Sequence, residues 1–350
     1  MAGATPQLIK ELRELTGAGM LDCKNALNEC EGNIEKAIQH LREAGLSKAA
    51  KKAGNVAAEG LISILVNENF TKATMTEINS QTDFVAKNEN FINLTKDITA
   101  HVQVTGAATT EELKKTTING QVFEEYLNEK IATIGENLVA RKMITVSTDK
   151  GVVNGYVHAT GKVGVLLAAT CDESAKEKAI PLLKNIAMHA SAMKPIVISY
   201  ENLDPEFVEA ENRAIKAEIE AENEELARLG KPLKKIPLFV SKSQLTIAAL
   251  EQAEEEFKAE LQKQGKPEKI WGNILPGQME RFIQDNTELD RRLALLSQSY
   301  VMDDKKTIEQ AIAEGDKSIK IVEYVRFELG EGIEKKEEDF AAEVAKQMGK

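Results

Sequence analysis

The chain has 350 residues, 42% of them hydrophobic, and a formal net charge of −11. That length favours two or three domains with cores of their own, and no apolar run approaches the roughly 20 residues of a membrane span. The acidic balance offers no long basic footprint for nucleic acid, and three scattered cysteines (Cys23, Cys30, Cys171) have no metal-ligand spacing. Residues 1–54 read as three short helices. Thr5 caps the first ahead of Pro6, and Leu8, Ile9, Leu12 and Leu15 form its stripe before a stop at Gly17. Cys23, Leu27 and Cys30 mark the second, stopped at Gly32. Asn33 caps the third, where Ile34, Ala37, Ile38 and Leu41 share a face before a stop at Gly45. Residues 49–60 then read as a hinge whose lysines are solvated.

From residue 61 the hydrophobic period changes from helical to alternating. Residues 61–66 and 73–79 read as strands joined by a turn at Asn67-Glu68-Asn69. A helix follows, with Phe91, Leu94, Ile98 and Val102 on one face, and then a polar, Thr-rich stretch. Residues 121–134 form another amphipathic helix, ended by Gly135. A second unit is expected from about Arg141, with strands near 144–146, 152–158 and 163–169 and a helix through Leu182, Leu183, Ile186, Ala187 and Met193. Ile92, Leu94, Lys96, Ile98 and His101 recur at constant offset as Ile180, Leu182, Lys184, Ile186 and His189, a weak echo that favours two related halves.

Residues 200–285 differ from both halves. Asp204-Pro205 starts a helix and Gly230 stops it. Asn212, Ile215, Ile219, Glu222, Leu226 and Leu229 follow the spacing of a coiled-coil seam, with two polar members. A second helix carries Leu250, Phe257 and Leu261 before Gly265. Strand pattern resumes at 319–329, and a terminal helix with Phe340, Val344 and Met348 closes the chain. The expected class is α+β. It comprises a three-helix domain (1–54), a first α/β half (55–140), a second half (141–199 and 286–329), an inserted helical coiled-coil hairpin (200–285) and a C-terminal docking helix (330–350).

No catalytic constellation accompanies this architecture. The chain has no G-x-S-x-G elbow, no H-E-x-x-H and no Walker A loop, and Gly17-Ala18-Gly19 lacks the third glycine of a dinucleotide fingerprint. The four histidines are far apart in sequence. The reading is therefore not an enzyme, with no cofactor and no metal, and a protein partner rather than nucleic acid or membrane. The absence of a basic-then-apolar leader points to the cytoplasm.

The most informative run is Ser80-Gln81-Thr82-Asp83-Phe84-Val85-Ala86-Lys87-Asn88, where a strand pattern gives way to a helix pattern. Phe84 beside Asp83 suits a wedge entering a partner's pocket; the alternative is an ordinary core phenylalanine. A second such run is Thr16-Gly17-Ala18-Gly19-Met20-Leu21-Asp22-Cys23-Lys24.

In this order the two runs resemble the signatures of the elongation factor Ts family. Residues 49–57, Ile134-Gly135-Glu136-Asn137, Ile186-Ala187-Met188-His189 and 326–332 extend the likeness over nearly the whole chain. Ser80 stands where the family often has Cys, Leu21 replaces a frequent Met, and residues 200–285 match least. The resemblance implies a ubiquitin-associated-like N-terminal domain and guanine-nucleotide exchange on elongation factor Tu, in its GDP-bound or nucleotide-free form. Asp83 and Phe84, flanked by Thr82 and Val85, would push between two helices of that partner's G domain and disturb its Mg²⁺ and phosphate sites. Arg13, Met20 and Leu21 would pack on a G-domain helix, with Phe340 on the same domain. Ile134 and Gly135 would support the contact beside the wedge, and His158 would reach the partner's third domain. The helical insertion would be either a self-association element, giving a homodimer, or a protruding element. The competing reading is a non-catalytic dimeric adaptor that uses the three-helix domain as its binding module.

Overall fold

The structure is a computed structural model and describes residues 4–334. The part of the expected docking helix from residue 335 on, with Phe340, Val344 and Met348, lies outside the described residues. The mixed helix and sheet are those of an α+β protein, and the chain divides into two compact units. Of the described residues, unit 1 comprises 4–149, 153–166 and 325–334; unit 2 comprises 150–152 and 167–324.

Unit 1 opens with three helices, α1 (Pro6–Thr16), α2 (Met20–Glu29) and α3 (Ile34–Lys52). The side chains of Thr5 and Asn33 cap the first and third, and Gly17 takes a left-handed φ of +66° as a C-terminal stop requires. Leu12, Cys23, Ala26, Leu27 and Ala37 close a small core. The stop expected at Gly45 is not there. α3 continues to Lys52, Gly45 is buried, and only 53–58 separates α3 from the next strand. Gly45 packs against a later helix, and the packing of α3 tolerates the intrinsic cost of about 1 kcal/mol for glycine in a helix.

The rest of unit 1 is built on a sheet. Strands β1 (Glu59–Val66) and β2 (Lys72–Ser80) pair antiparallel from Glu59↔Ser80 to Val66↔Ala73. A single-turn helix α4 (Asp83–Ala86) follows β2, then α5 (Glu89–Thr105), the short α6 (Thr110–Lys114), the two-residue strands β3 (Thr117–Ile118) and β4 (Gln121–Val122), and α7 (Phe123–Ile134). Phe91, Leu94, Ile98 and Val102 of α5 are all buried, against Ile78 of β2 and Phe123 and Ile131 of α7.

Strand β5 (Val139–Ser147), expected to open the second half, instead pairs antiparallel with β2, so the sheet order is β1-β2-β5. Ala140 and Met143 join the core that β2 already faces, which is why the strand belongs here. Those two residues are three apart because the register shifts between Glu77 and Ile78: Lys142 opposes Glu77, Ala140 opposes Ile78, and Arg141 is the extra residue. A bulge re-aims a side chain. Here the Arg141 guanidinium lies 3.1 Å from the fully buried Glu77 carboxylate, which also accepts the Gly330 backbone N–H at 3.0 Å.

A second sheet has the order β10-β7-β6, from β6 (Val152–Val157), β7 (Val163–Thr170) and β10 (Lys320–Glu328). In unit 2, α8 (Lys176–Met193) buries Leu183, Ile186, Ala187 and His189, whereas Met193 is exposed. α9 (Pro205–Arg228) begins at the Asp204 cap. The first part of its seam, Asn212 and Ile215, is buried, while Leu229 is exposed. Ile215 packs with Leu203, Val208, Val240 and Leu289. An extended return is pinned where Asn223 accepts the Lys234 N–H at 2.7 Å and Lys216 donates to the Leu238 carbonyl at 2.8 Å. α10 (Ile247–Lys263) then pairs with α11 (Trp271–Asp285) through an edge-on contact of Phe257 with Phe282. α11 contains Pro276 and Gly277, two strong breaker signals, so its existence was not legible from the sequence. α12 (Glu288–Leu293), β8 (Ser299–Tyr300), β9 (Asp303–Thr307) and α13 (Ile308–Gly315) complete the unit.

Candidate functional site

The run 80–88 leaves the end of β2 and turns at once into α4. Thr82 is extended (φ −121°, ψ 154°) and caps the helix, its hydroxyl accepting the Val85 N–H at 3.4 Å. Val85 and Ala86 turn inward against the core of unit 1. Phe84 points out and is 79% exposed, an uncommon state for a large aromatic ring. It is not a core residue. Lys87 reaches back over this tip, its Nζ 2.7 Å from Asp83 Oδ2 and 5.9 Å from the centre of the Phe84 ring. The hydrogen bond from Lys87 holds the Asp83 carboxyl below its usual pKa, and Lys162 acts in the same direction.

The loop that feeds this tip is held from across the fold. Glu136 Oε2 accepts the backbone N–H groups of both Gln81 and Thr82 at 3.0 Å, and Oε1 accepts the Thr82 hydroxyl at 2.6 Å. Glu136 follows Gly135, whose left-handed φ of +86° ends α7. Ile134, at the end of that helix, is partly buried against the core. The structure thus brings Thr82, Asp83, Phe84 and Val85 together with the Ile134-Gly135 turn through one carboxylate.

The remaining predicted residues of unit 1 occupy other surfaces. Arg13, Met20 and Leu21 are exposed around the turn between α1 and α2, where Met20 is 63% and Leu21 69% accessible. That turn is braced from within. The Thr16 hydroxyl donates to the Leu12 carbonyl at 2.7 Å and the Cys23 thiol to the Ala18 carbonyl at 3.6 Å. Burial pushes the Cys23 thiol up, so it stays a protonated packing group. His158 is exposed in the turn after β6, its Nδ1 3.1 Å from the Thr160 hydroxyl. The Gly161 carbonyl of the same turn accepts the Ile62 N–H of β1 at 2.8 Å. Phe340 lies outside the described residues. Among the described residues no group of three or more His, Cys, Asp or Glu is placed to hold a metal ion, and no helix is long and apolar enough to cross a membrane.

A family model described as Elongation factor TS matches residues 81–236 and 234–331. The chain belongs to the elongation factor Ts family. A relative of that name from Aliarcobacter butzleri (strain RM4018) is 73% identical over 350 residues, covering all of both chains. Others from Campylobacter curvus (strain 525.92) and Helicobacter hepaticus (strain ATCC 51449 / 3B1) are 60% and 54% identical over 99% of this chain. Residues 82–85, 134, 135 and 158 fall inside the segments matched by the family model. Arg13, Met20 and Leu21 precede them, within the full-length similarity to relatives.

Sequence reasoning missed the roles of Glu136 and Lys87. Lys87 is four residues from Asp83, a spacing at which helical side chains meet, so that pair had a local signal. Glu136 is 54 residues from Thr82, and its place in the family-like run Ile134-Gly135-Glu136-Asn137, directly after a helix-ending glycine, hinted at a fixed position but not at its partner.

Proposed function

We propose that this protein is a guanine-nucleotide exchange factor for elongation factor Tu, working in the cytoplasm and performing no chemistry of its own. It binds the GDP-bound partner and inserts Asp83 and Phe84 between two helices of the G domain. The partner's hold on Mg²⁺ and phosphate loosens, GDP leaves and GTP can enter. The observation that carries this reading is Phe84, exposed on the first turn of a helix whose approach is held by the Glu136 carboxylate. A non-catalytic adaptor would instead keep this ring in its own core.

The energetics suit the role. A factor that speeds release must prefer the nucleotide-free partner, and the coupling is reciprocal. Burying one phenylalanine side chain is worth about 1.5–3 kcal/mol, roughly ten- to a hundred-fold in an equilibrium. The remainder comes from weakened coordination of phosphate and Mg²⁺ in the partner and from anchoring elsewhere. In this reading Arg13, Met20 and Leu21 anchor on the G domain, joined by Phe340. Ile134 and Gly135 line the wedge contact, and His158 reaches a further domain of the partner.

The test is stopped-flow release of a fluorescent GDP from a matched elongation factor Tu. Strong acceleration by the wild-type chain, reduced at least about tenfold by Phe84→Ala, is the expected result. No acceleration by the folded protein overturns the exchange reading.

A further inference from the structure

We infer that Glu136 is a positioning residue for exchange: its carboxylate fixes the backbone of Gln81 and Thr82 so that Asp83 and Phe84 form a preset tip. The inference rests on the exchange reading and deepens it. α4 is only four residues long, far below the length at which a helix sustains itself. Its shape must therefore be imposed from outside. Glu136 does so with three hydrogen bonds, to two successive backbone amides and to the hydroxyl of the capping residue. Because the Thr82 hydroxyl donates to Glu136, its lone pairs face the Val85 N–H, and the cap is oriented by the carboxylate. Glu136 is itself held by the fixed turn at Gly135 and by its neighbour Asn137, which donates to the Asn55 carbonyl at 2.8 Å.

A tip that must be ordered during binding loses affinity for the state it stabilises, by about tenfold for each residue ordered. A preset tip avoids that loss, and a push on Phe84 is resisted rather than absorbed by the loop. The Glu136 hydrogen bonds go to Gln81 and Thr82 and not to the wedge ring. Its effect on exchange runs through the placing of Asp83 and Phe84.

The experiment combines two readouts on the full-length chain. Amide hydrogen exchange of the free protein reports on Gln81 and Thr82. These amides are expected to be protected in the wild type, unprotected in Glu136→Ala and largely protected in Glu136→Gln, whose amide oxygen can accept both N–H groups while its NH₂ faces the Thr82 oxygen. GDP release from elongation factor Tu is expected to slow by about ten- to a hundred-fold in Glu136→Ala and to recover in Glu136→Gln. The double variant Glu136→Ala/Phe84→Ala is expected to lose less than the product of the two single losses, since with Phe84 gone Glu136 has only Asp83 left to place. Multiplying rate losses in the double variant, unprotected wild-type amides, or full activity in Glu136→Ala would each overturn the positioning role while leaving the exchange reading intact. A wild-type chain that fails to accelerate release overturns both, whatever the amides show.

Discussion

Gly45 of α3 faces Ala132 of α7 so closely that a Cβ added to the glycine would stand 3.4 Å from the alanine methyl. That is the edge of ordinary van der Waals contact, with room for one carbon and no more. Gly45→Ala is expected to stabilise the protein by up to about 1 kcal/mol through helix propensity. Gly45→Leu is expected to destabilise it by about 1–3 kcal/mol through overpacking. Urea denaturation of the two variants checks the sign of each.

Phe84 and Phe91 lie seven residues apart and differ completely in burial, one largely exposed and the other fully enclosed. Phe84→Ala is expected to change stability by less than about 0.5 kcal/mol while it slows exchange. Phe91→Ala is expected to cost about 3–5 kcal/mol. Paired melts and release assays separate the two, and a strongly destabilised Phe84→Ala would contradict the exposed tip.

His189 titrates against the fold. Its Nε2 lies 3.0 Å from Gln298 Oε1, and Gln298 Nε2 is committed to the Arg292 carbonyl at 2.9 Å, so His189 Nε2 is the donor. Nδ1 then accepts the Val301 N–H at 3.3 Å. A second ring proton would point at that N–H. Burial pushes the pKa below the ordinary 6.5, against a smaller upward effect of Gln298. With the folded value below the unfolded one, this contribution is complete above pH 6.5 and is lost as pH falls from there through the folded value. His101, also lowered by burial, has the same sign. Stability is expected to fall as the pH drops below about 6.5, and His189→Gln is expected to flatten that slope without abolishing it. Denaturant midpoints across the range provide the measurement.

The Glu77 carboxylate has no exposed surface, whereas Arg141 keeps 26% of its side chain accessible. Removing Arg141 leaves the buried carboxylate with Lys142 as its cation, 3.9 Å away, so Arg141→Met is expected to cost up to about 3 kcal/mol. Replacing both residues, in Glu77→Met/Arg141→Met, is expected to recover part of that loss. A double-mutant cycle by chemical denaturation measures the coupling.

The stripes were legible where local chemistry and tertiary packing agree. Phe91, Leu94, Ile98 and Val102 are buried together, and Gly17, Gly135 and Gly230 all adopt the left-handed conformation of a stop. Gly45 misled because a glycine inside a helix costs only about 1 kcal/mol, which the packing of α3 on α7 outweighs, and that packing exists only in three dimensions. Trp271–Asp285 was hidden by Pro276 and Gly277, which a helix tolerates here. β5 was seen as a strand but assigned the wrong neighbour, since alternation reveals a buried face and not which strand lies beside it. At the site, an apolar residue next to a charge at an element boundary left Phe84 open between a wedge and a core ring, and the family resemblance favoured the wedge. The Glu136 bridge joins segments that sequence spacing does not relate.

β2 is the middle strand of its sheet, laddered to β1 on one side and β5 on the other over nearly its full length, and Ser80 at its end is the last laddered residue before the tip. Compression delivered at Phe84 along that strand would meet two antiparallel ladders in shear, with many hydrogen bonds strained together instead of peeling one after another. The tip is seated like a chisel in a handle gripped from both sides. A load on the tip is therefore shared by the strands on either side of β2.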